Sequence, residues 1–254
     1  MKTNAIRDFL AIVERGSLQA AAIHNEMRLA REELDQLRGQ THGRLTVALS
    51  SVAHIAMLPE ALVPFRKRYP NVKIDIIDAV YPTIELDLKD SRIDLYIGPA
   101  PSQVSADLTR EMLFQSTRLI FGRKGHPLSH AKSLSELVDA EWITTSITYL
   151  AEEELGPLFS ANGLAAPKLV MQAHSTLTFL AALVHSDLLM MLPIQWTQSP
   201  MLQELVQPIR VREVLPAPPI CLVQRVGFPL TPAAEYFCDL MRRTATRLSR
   251  SANA

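Results

Sequence analysis

The stretch that most constrains the fold runs over residues 43–98. It opens with GRLTVAL at 43–49 and the polar pair Ser50 and Ser51. An amphipathic segment through Leu62 and Phe65 follows and stops at Tyr69 and Pro70, as a helix does before proline. Next come VKIDII at 72–77, a short helix closing near Leu88 and Lys89, and IDLYIG at 93–98. Apolar strands separated by helices make a βαβαβ unit, whose crossovers force a parallel sheet. Ligands of such sheets bind beyond the carboxyl ends of the strands. Ser50 and Ser51 stand at one such end, so the block predicts a small-molecule sensor.

Composition narrows the class. A chain of 254 residues with 48% hydrophobic and 20% charged residues can bury a core of one large or two medium domains. The formal net charge is zero, so no global field draws it to nucleic acid or an anionic membrane. Arg242, Arg243, Arg247 and Arg250 read as a solvated helix end. Cys221 and Cys238 lack metal-ligand spacing and read as reduced core residues of a cytosolic protein. Arg7, Asp8, Glu14 and Arg15 interrupt any signal-peptide run. His185, Ser186, Asp187 and Pro193 break the apolar stretch 177–196, which excludes a membrane span.

The amino end is helical by pattern. Ile6, Phe9, Leu10 and Val13 share a face, Gly16 is a stop and Ser17 a cap. From Ala20, the residues Ile23, Met27, Ala30, Leu34 and Leu37 step alternately by three and four. That is a heptad seam, expected to pair with a partner helix; packing on its own domain is the alternative. Beyond Gly98 the pattern predicts a crossover at 99–102, strands at 118–122, 141–143, 168–171 and 188–192, and helices at 133–138, 152–162 and 177–185. A late strand at 219–224 and a helix opened by Thr231 and Pro232 return to the first sheet. The expected architecture is α/β and two-lobed. Residues 1–42 form a short all-α segment, 43–99 with 211–254 one lobe, and 100–210 the other. Two crossovers leave a cleft between lobes, where pockets prefer to form.

Three polar clusters share one position, after a strand and before a helix. They are Ser50 and Ser51; Thr144, Thr145 and Ser146; and His174, Ser175 and Thr176. Helix N-termini joined by hydroxyl donors hold anions, although each cluster alone also reads as ordinary N-capping. Tyr81 could supply an aromatic wall, and Pro193 ends the strand at 188–192. The chain has no Gly-x-Ser-x-Gly, phosphate loop, dinucleotide fingerprint or His-Glu-x-x-His. His126, His130 and His185 read as structural, and Asp75 and Asp78 as solvated charges. Neither an enzyme, a cofactor nor a metal is expected.

These residues together resemble the LysR-type transcriptional regulators. The resemblance rests on the strand and loop at 43–51, Leu58-Pro59 through Tyr69-Pro70, LKDSRID at 88–94, GHPL at 125–128, Leu134 to Leu137 and PLTP at 229–232. It implies an effector domain like periplasmic solute-binding folds, with the inducer in the inter-lobe cleft. It also implies cytoplasmic homo-oligomers that bind promoter DNA and sense small, often aromatic, anions. The stretch 174–193 is similar to regulators of aromatic-acid or aryl-sulfonate catabolism.

The amino end departs from the family pattern. Ile6 to Val13, Gly16, Ser17 and Ala20 to Ala22 resemble the start of a winged helix-turn-helix, yet the chain passes directly into a linker-like helix at 26–39. No second helix is left to enter a major groove. Lys2, Arg7, Arg15, Arg28, Arg31, Arg38 and Arg44 are nearly balanced by Asp8, Glu14, Glu26, Glu32, Glu33 and Asp35, so phosphate contacts are weak too. The expectation is a sensor with impaired specific DNA binding, paired with itself or with an intact LysR-type paralogue. A stand-alone solute-binding protein is the alternative.

Overall fold

A computed structural model describes residues 27, 30–36, 42–81, 83–145 and 152–252. The amino-terminal helices expected before residue 27, and Ile23, Leu37 and Ser146, lie outside the described residues.

Strand β1 (His42–Leu49) is buried from Leu45 onward, as a central parallel strand covered on both faces must be. β2 (Asn71–Asp78) pairs with it in parallel, Leu45 opposite Ile74 and Val47 opposite Ile76. β3 (Leu95–Pro99) pairs in parallel on its other side. Helices α1 (Leu58–Arg68) and α2 (Glu85–Lys89) make the crossovers. β10 (Ile220–Arg225) then adds antiparallel to β3, and β4 (Leu108–Phe114) antiparallel to β10, in the order β2-β1-β3-β10-β4. The closing helix α6 (Pro232–Ala252) lies with α1 on one face. There Phe65 and Phe237 meet edge to face at 5.6 Å. Thr231 Oγ1 accepts from the Ala234 amide at 3.3 Å and caps α6.

The second lobe is built differently. β5 (Arg118–Arg123) lies between β8 (Met190–Pro193) and β9 (Val206–Ile209), all antiparallel. β6 (Glu141–Thr144) pairs in parallel with β7 (Lys168–Gln172). A bridge from Trp142 to Leu189 joins the two small sheets. Helices α3 (Glu152–Ala161), α4 (Thr176–His185) and α5 (Pro200–Gln203) complete the lobe. Trp142 stacks edge-on against Phe159, while Trp196 packs between Phe121 and Phe179.

One expected boundary is corrected. The segment after residue 100 still belongs to the first sheet, because β4 pairs with β10. The chain therefore crosses between lobes at 115–117, not at 99–102. β4 is an edge strand, LTREMLF, exposed on one side, and edge strands carry the polar residues that hide them from pattern reading. β9, VQPI, also carried no strand signal. Its Pro208 sits at a sheet edge, where proline is tolerated.

Residues 30–36 are helical and meet the first lobe through Gln36. Its Oε1 accepts from the Ala233 amide at 2.9 Å, and its Nε2 donates to the His42 carbonyl at 3.2 Å. The seam residues Met27, Ala30 and Leu34 are exposed. The helix is therefore tethered by a polar residue, and its described seam residues do not cover its own domain.

Candidate functional site

The chain after β1 enters a helical run at Ser51 that continues to Arg68, π-helical over Ala53–Met57. Such bulges recur at functional sites, and the first N–H groups of any helix lack intrahelical acceptors. Ser50 is pinned by its amide donating to the Ile97 carbonyl at 2.9 Å and by its carbonyl accepting from the His54 amide at 3.0 Å. Its Oγ is buried with no hydrogen-bond partner among the described residues. A buried hydroxyl is costly to leave without a partner, so this Oγ is a group that a polar atom of a ligand could satisfy.

Ser50 and Ser51 face the second lobe across a narrow cleft. Its other walls are Val52, Val80, Pro99, Ser116, Arg118, Thr145, Met191, Leu192, Pro193, Pro218 and Ile220. The enclosed volume is about 30 Å³, room for about two waters. An organic ligand enters only when the lobes or the lining side chains move apart. Arg118 is the one Lys or Arg in this lining. It forms an ion pair with Glu154 of α3, the two side chains being 9% and 18% exposed. Thr144 Oγ1 donates to the other carboxylate oxygen of Glu154 at 2.9 Å. The lining combines an ion-paired cation with the hydroxyls of Ser50, Ser51, Ser116 and Thr145.

The predicted residues divide. Ser50, Ser51, Thr145 and Pro193 line the cleft. Thr144 stands behind it and orients Glu154. Tyr81 does not form a wall. It is 3% exposed, in the core beside Tyr96. Its hydroxyl donates to Glu85 at 2.7 Å, which holds the Glu85 carboxyl below the ordinary range. An aromatic ring ahead of a short helix buries more area inward than in a polar cleft, and Val80 takes the cleft position instead.

His174, Ser175 and Thr176 also lie outside this cleft. The Thr176 amide and hydroxyl donate to the two carboxylate oxygens of Asp78 at 2.6 and 3.0 Å. The helix N-terminus does hold an anion, as expected of it, but the anion is the protein's own, sent from the end of β2. This contact ties the two lobes together. Asp78 had read as a solvated charge, and the sequence carries no sign of its partner 98 residues away.

Arg118 and Glu154 were also missed. The available signal was a single arginine heading the apolar run RLIFG; Glu154 was hidden inside a run of three glutamates. His126 is structural: its Nδ1 accepts from the Leu128 amide and its Nε2 lies 3.0 Å from the Asp187 carbonyl.

A profile of the LysR substrate binding domain matches residues 38–246. The transcriptional regulator GalR of Pseudomonas putida is 26% identical over 246 residues, covering 96% of this chain and 60% of that protein. GbpR of Azospirillum brasilense is 24% identical over 66% of this chain and 50% of its own length. The chain thus spans between half and three fifths of these regulators. Among solved structures, the effector binding domain of QuiR in complex with shikimate superposes with a TM-score of 0.65 at 18% identity, over 81% of this chain and 98% of that one. The BenM effector binding domain with its effector benzoate gives 0.61 at 17% identity, over 81% and 93%. At such identities the likeness concerns the fold, a two-lobed α/β architecture of the kind shared with periplasmic binding proteins. Sequence profile and fold agree that this chain belongs to the LysR family, with residues 38–246 forming its substrate-binding domain.

Proposed function

We propose that the chain is the sensing portion of a LysR-type transcriptional regulator and that its inter-lobe cleft takes a small organic anion. The observation that carries this is Arg118, 9% exposed and lining one cleft with Ser50, Ser51, Ser116 and Thr145. A buried guanidinium pairs bidentately with carboxylate or sulfonate, and the hydroxyls supply the remaining donors. Val80, Met191, Leu192 and Pro193 offer apolar walls to an aromatic body. The names of QuiR and BenM structures specify shikimate and benzoate, both carboxylates, which supports the chemical class. No catalytic constellation accompanies the cleft among the described residues, and the curated relatives are regulators, so the ligand is read as a signal and not as a substrate for turnover.

The regulator would act in the cytoplasm as an oligomer. Met27, Ala30 and Leu34, exposed on the tethered helix, suit a second helix of the same chain or of an intact family member. Promoter binding by this chain alone is expected to be weak, because its amino-terminal charges balance and non-specific affinity follows phosphate neutralisation. A chain of this kind would then restrain an intact partner by pairing with it.

Thermal denaturation with aromatic carboxylates and sulfonates tests the sensor reading. A ligand at a hundred times its Kd stabilises by about 2.7 kcal/mol through mass action. Arg118→Met should abolish the shift. Absence of any shift across saturating anions would overturn the reading. Tight, specific promoter binding at physiological salt would overturn the DNA part alone.

A further inference from the structure

The cation of the cleft already holds a carboxylate, and it is the chain's own. Arg118 donates through Nη1 to Glu154 Oε1, and Thr144 Oγ1 donates to Oε2 of the same group. Glu154 stands in the first turn of α3. Its helical neighbours Leu155, Leu158 and Phe159 are buried in the second lobe, so the helix itself is fixed. The Glu154 side chain is 18% exposed. Its release needs rotation of one partly exposed side chain and no movement of α3.

Charge decides what happens when a second carboxylate arrives. Arg118 is the one Lys or Arg of the lining, and with Glu154 it sums to zero. An effector bound to Arg118 with Glu154 still in place would set two carboxylates on one guanidinium that is 9% exposed. Like charges sharing such a site oppose each other's ionisation, and neither recovers the water it has lost. Exchange of one carboxylate for the other keeps the site neutral and avoids both penalties.

We propose that Glu154 is an internal competitor for Arg118, displaced when the acid group of an effector binds. The proposal rests on the anion reading of the cleft. It makes Glu154 a determinant of affinity, because apparent affinity is reduced by the fraction of molecules in which Arg118 is free to bind. It also makes Glu154 a determinant of specificity. A carboxylate or sulfonate offers Arg118 a bidentate pair as good as the one it gives up, whereas an uncharged analogue has no charge to exchange and leaves the pair closed.

Calorimetric titration of benzoate and benzenesulfonate into the parent chain, Glu154→Gln and Glu154→Asp tests this, with benzamide as the uncharged control. Glu154→Gln keeps the size and removes the competing charge, and should bind the anions about tenfold more tightly than the parent. Glu154→Asp keeps the charge but withdraws it by one methylene, and should fall between the two. A residue that only orients Arg118 would give the opposite order, both variants binding more weakly. Tighter binding in whichever variant folds, including binding seen in a variant alone, supports the proposal. Equal or weaker binding overturns it, and the anion reading then stands if the parent binds and Arg118→Met does not. An equal gain for benzamide also overturns it, since the effect would be one of space and not of charge. If neither anion binds the parent or any variant, the anion reading fails and the proposal falls with it.

Discussion

Replacing Arg118 with methionine removes the cation of the cleft while keeping most of its length. Glu154 would then keep one hydrogen bond, from Thr144, with no cation beside it. Breaking one side of a buried pair costs about 3–5 kcal/mol, because the remaining charge is stranded. Glu154 is 18% exposed and retains a donor, so the lower end applies, about 3 kcal/mol. For a domain of this size each kcal/mol moves the midpoint by about 2–4 °C, giving a fall of about 6–12 °C. The double variant Arg118→Met with Glu154→Leu strands nothing, and apolar replacement of such pairs is often neutral or better. It should recover to within about 1 kcal/mol of the parent, which requires a coupling energy of about 2 kcal/mol or more. Urea unfolding followed by tryptophan emission reads this directly, since Trp142 and Trp196 both lie in the second lobe. An Arg118→Met loss below about 0.5 kcal/mol, the usual size of a surface effect, would refute the buried-pair argument. So would a double variant no more stable than the sum of the singles.

Gly98→Ala would place a Cβ against the Tyr96 hydroxyl and 2.6 Å from Ser50 Cβ; it should cost about 1–3 kcal/mol by overpacking and abolish any anion-induced thermal shift. Asp78→Asn keeps the size but weakens the charge-assisted bonds to Thr176, and a loss of about 1 kcal/mol should appear as faster hydrogen exchange at the start of α4. Cys238 is buried, its thiol pushed up to about 12 by desolvation, so it should resist thiol reagents in the native state. Its raised value also means that the unfolded chain deprotonates first. Stability should therefore fall as pH rises above about 8.5, the free thiol value, and Cys238→Ala should flatten that fall in alkaline denaturation curves.

The parallel half of the first lobe was legible because its strands are apolar runs bounded by helix and turn signals. Leu45 to Leu49 and Leu95 to Ile97 are buried, and continuous burial writes itself into sequence as continuous hydrophobicity. β4 and β9 were not legible, being an exposed edge and a proline-bearing edge. Strand ends likewise marked Ser50, Ser51, Thr145 and Pro193, since the carboxyl ends of strands are where such folds open. Tyr81 shows the limit: nothing local says whether a ring after a strand turns to the cleft or to the core.

Periodicity and turn chemistry in the sequence alone determined that this chain makes an α/β fold in two lobes with hydroxyl clusters at strand ends. Those signals act over a few residues, so they survive in a linear reading. Tertiary structure decided which clusters share a cleft. It placed Arg118 in one cleft with Ser50 and paired it with Glu154, and it spent the Thr176 cluster on Asp78. Each of these is a pairing of charges or donors far apart in the chain, and electrostatic partners are chosen by distance in space, which only the folded lobes set.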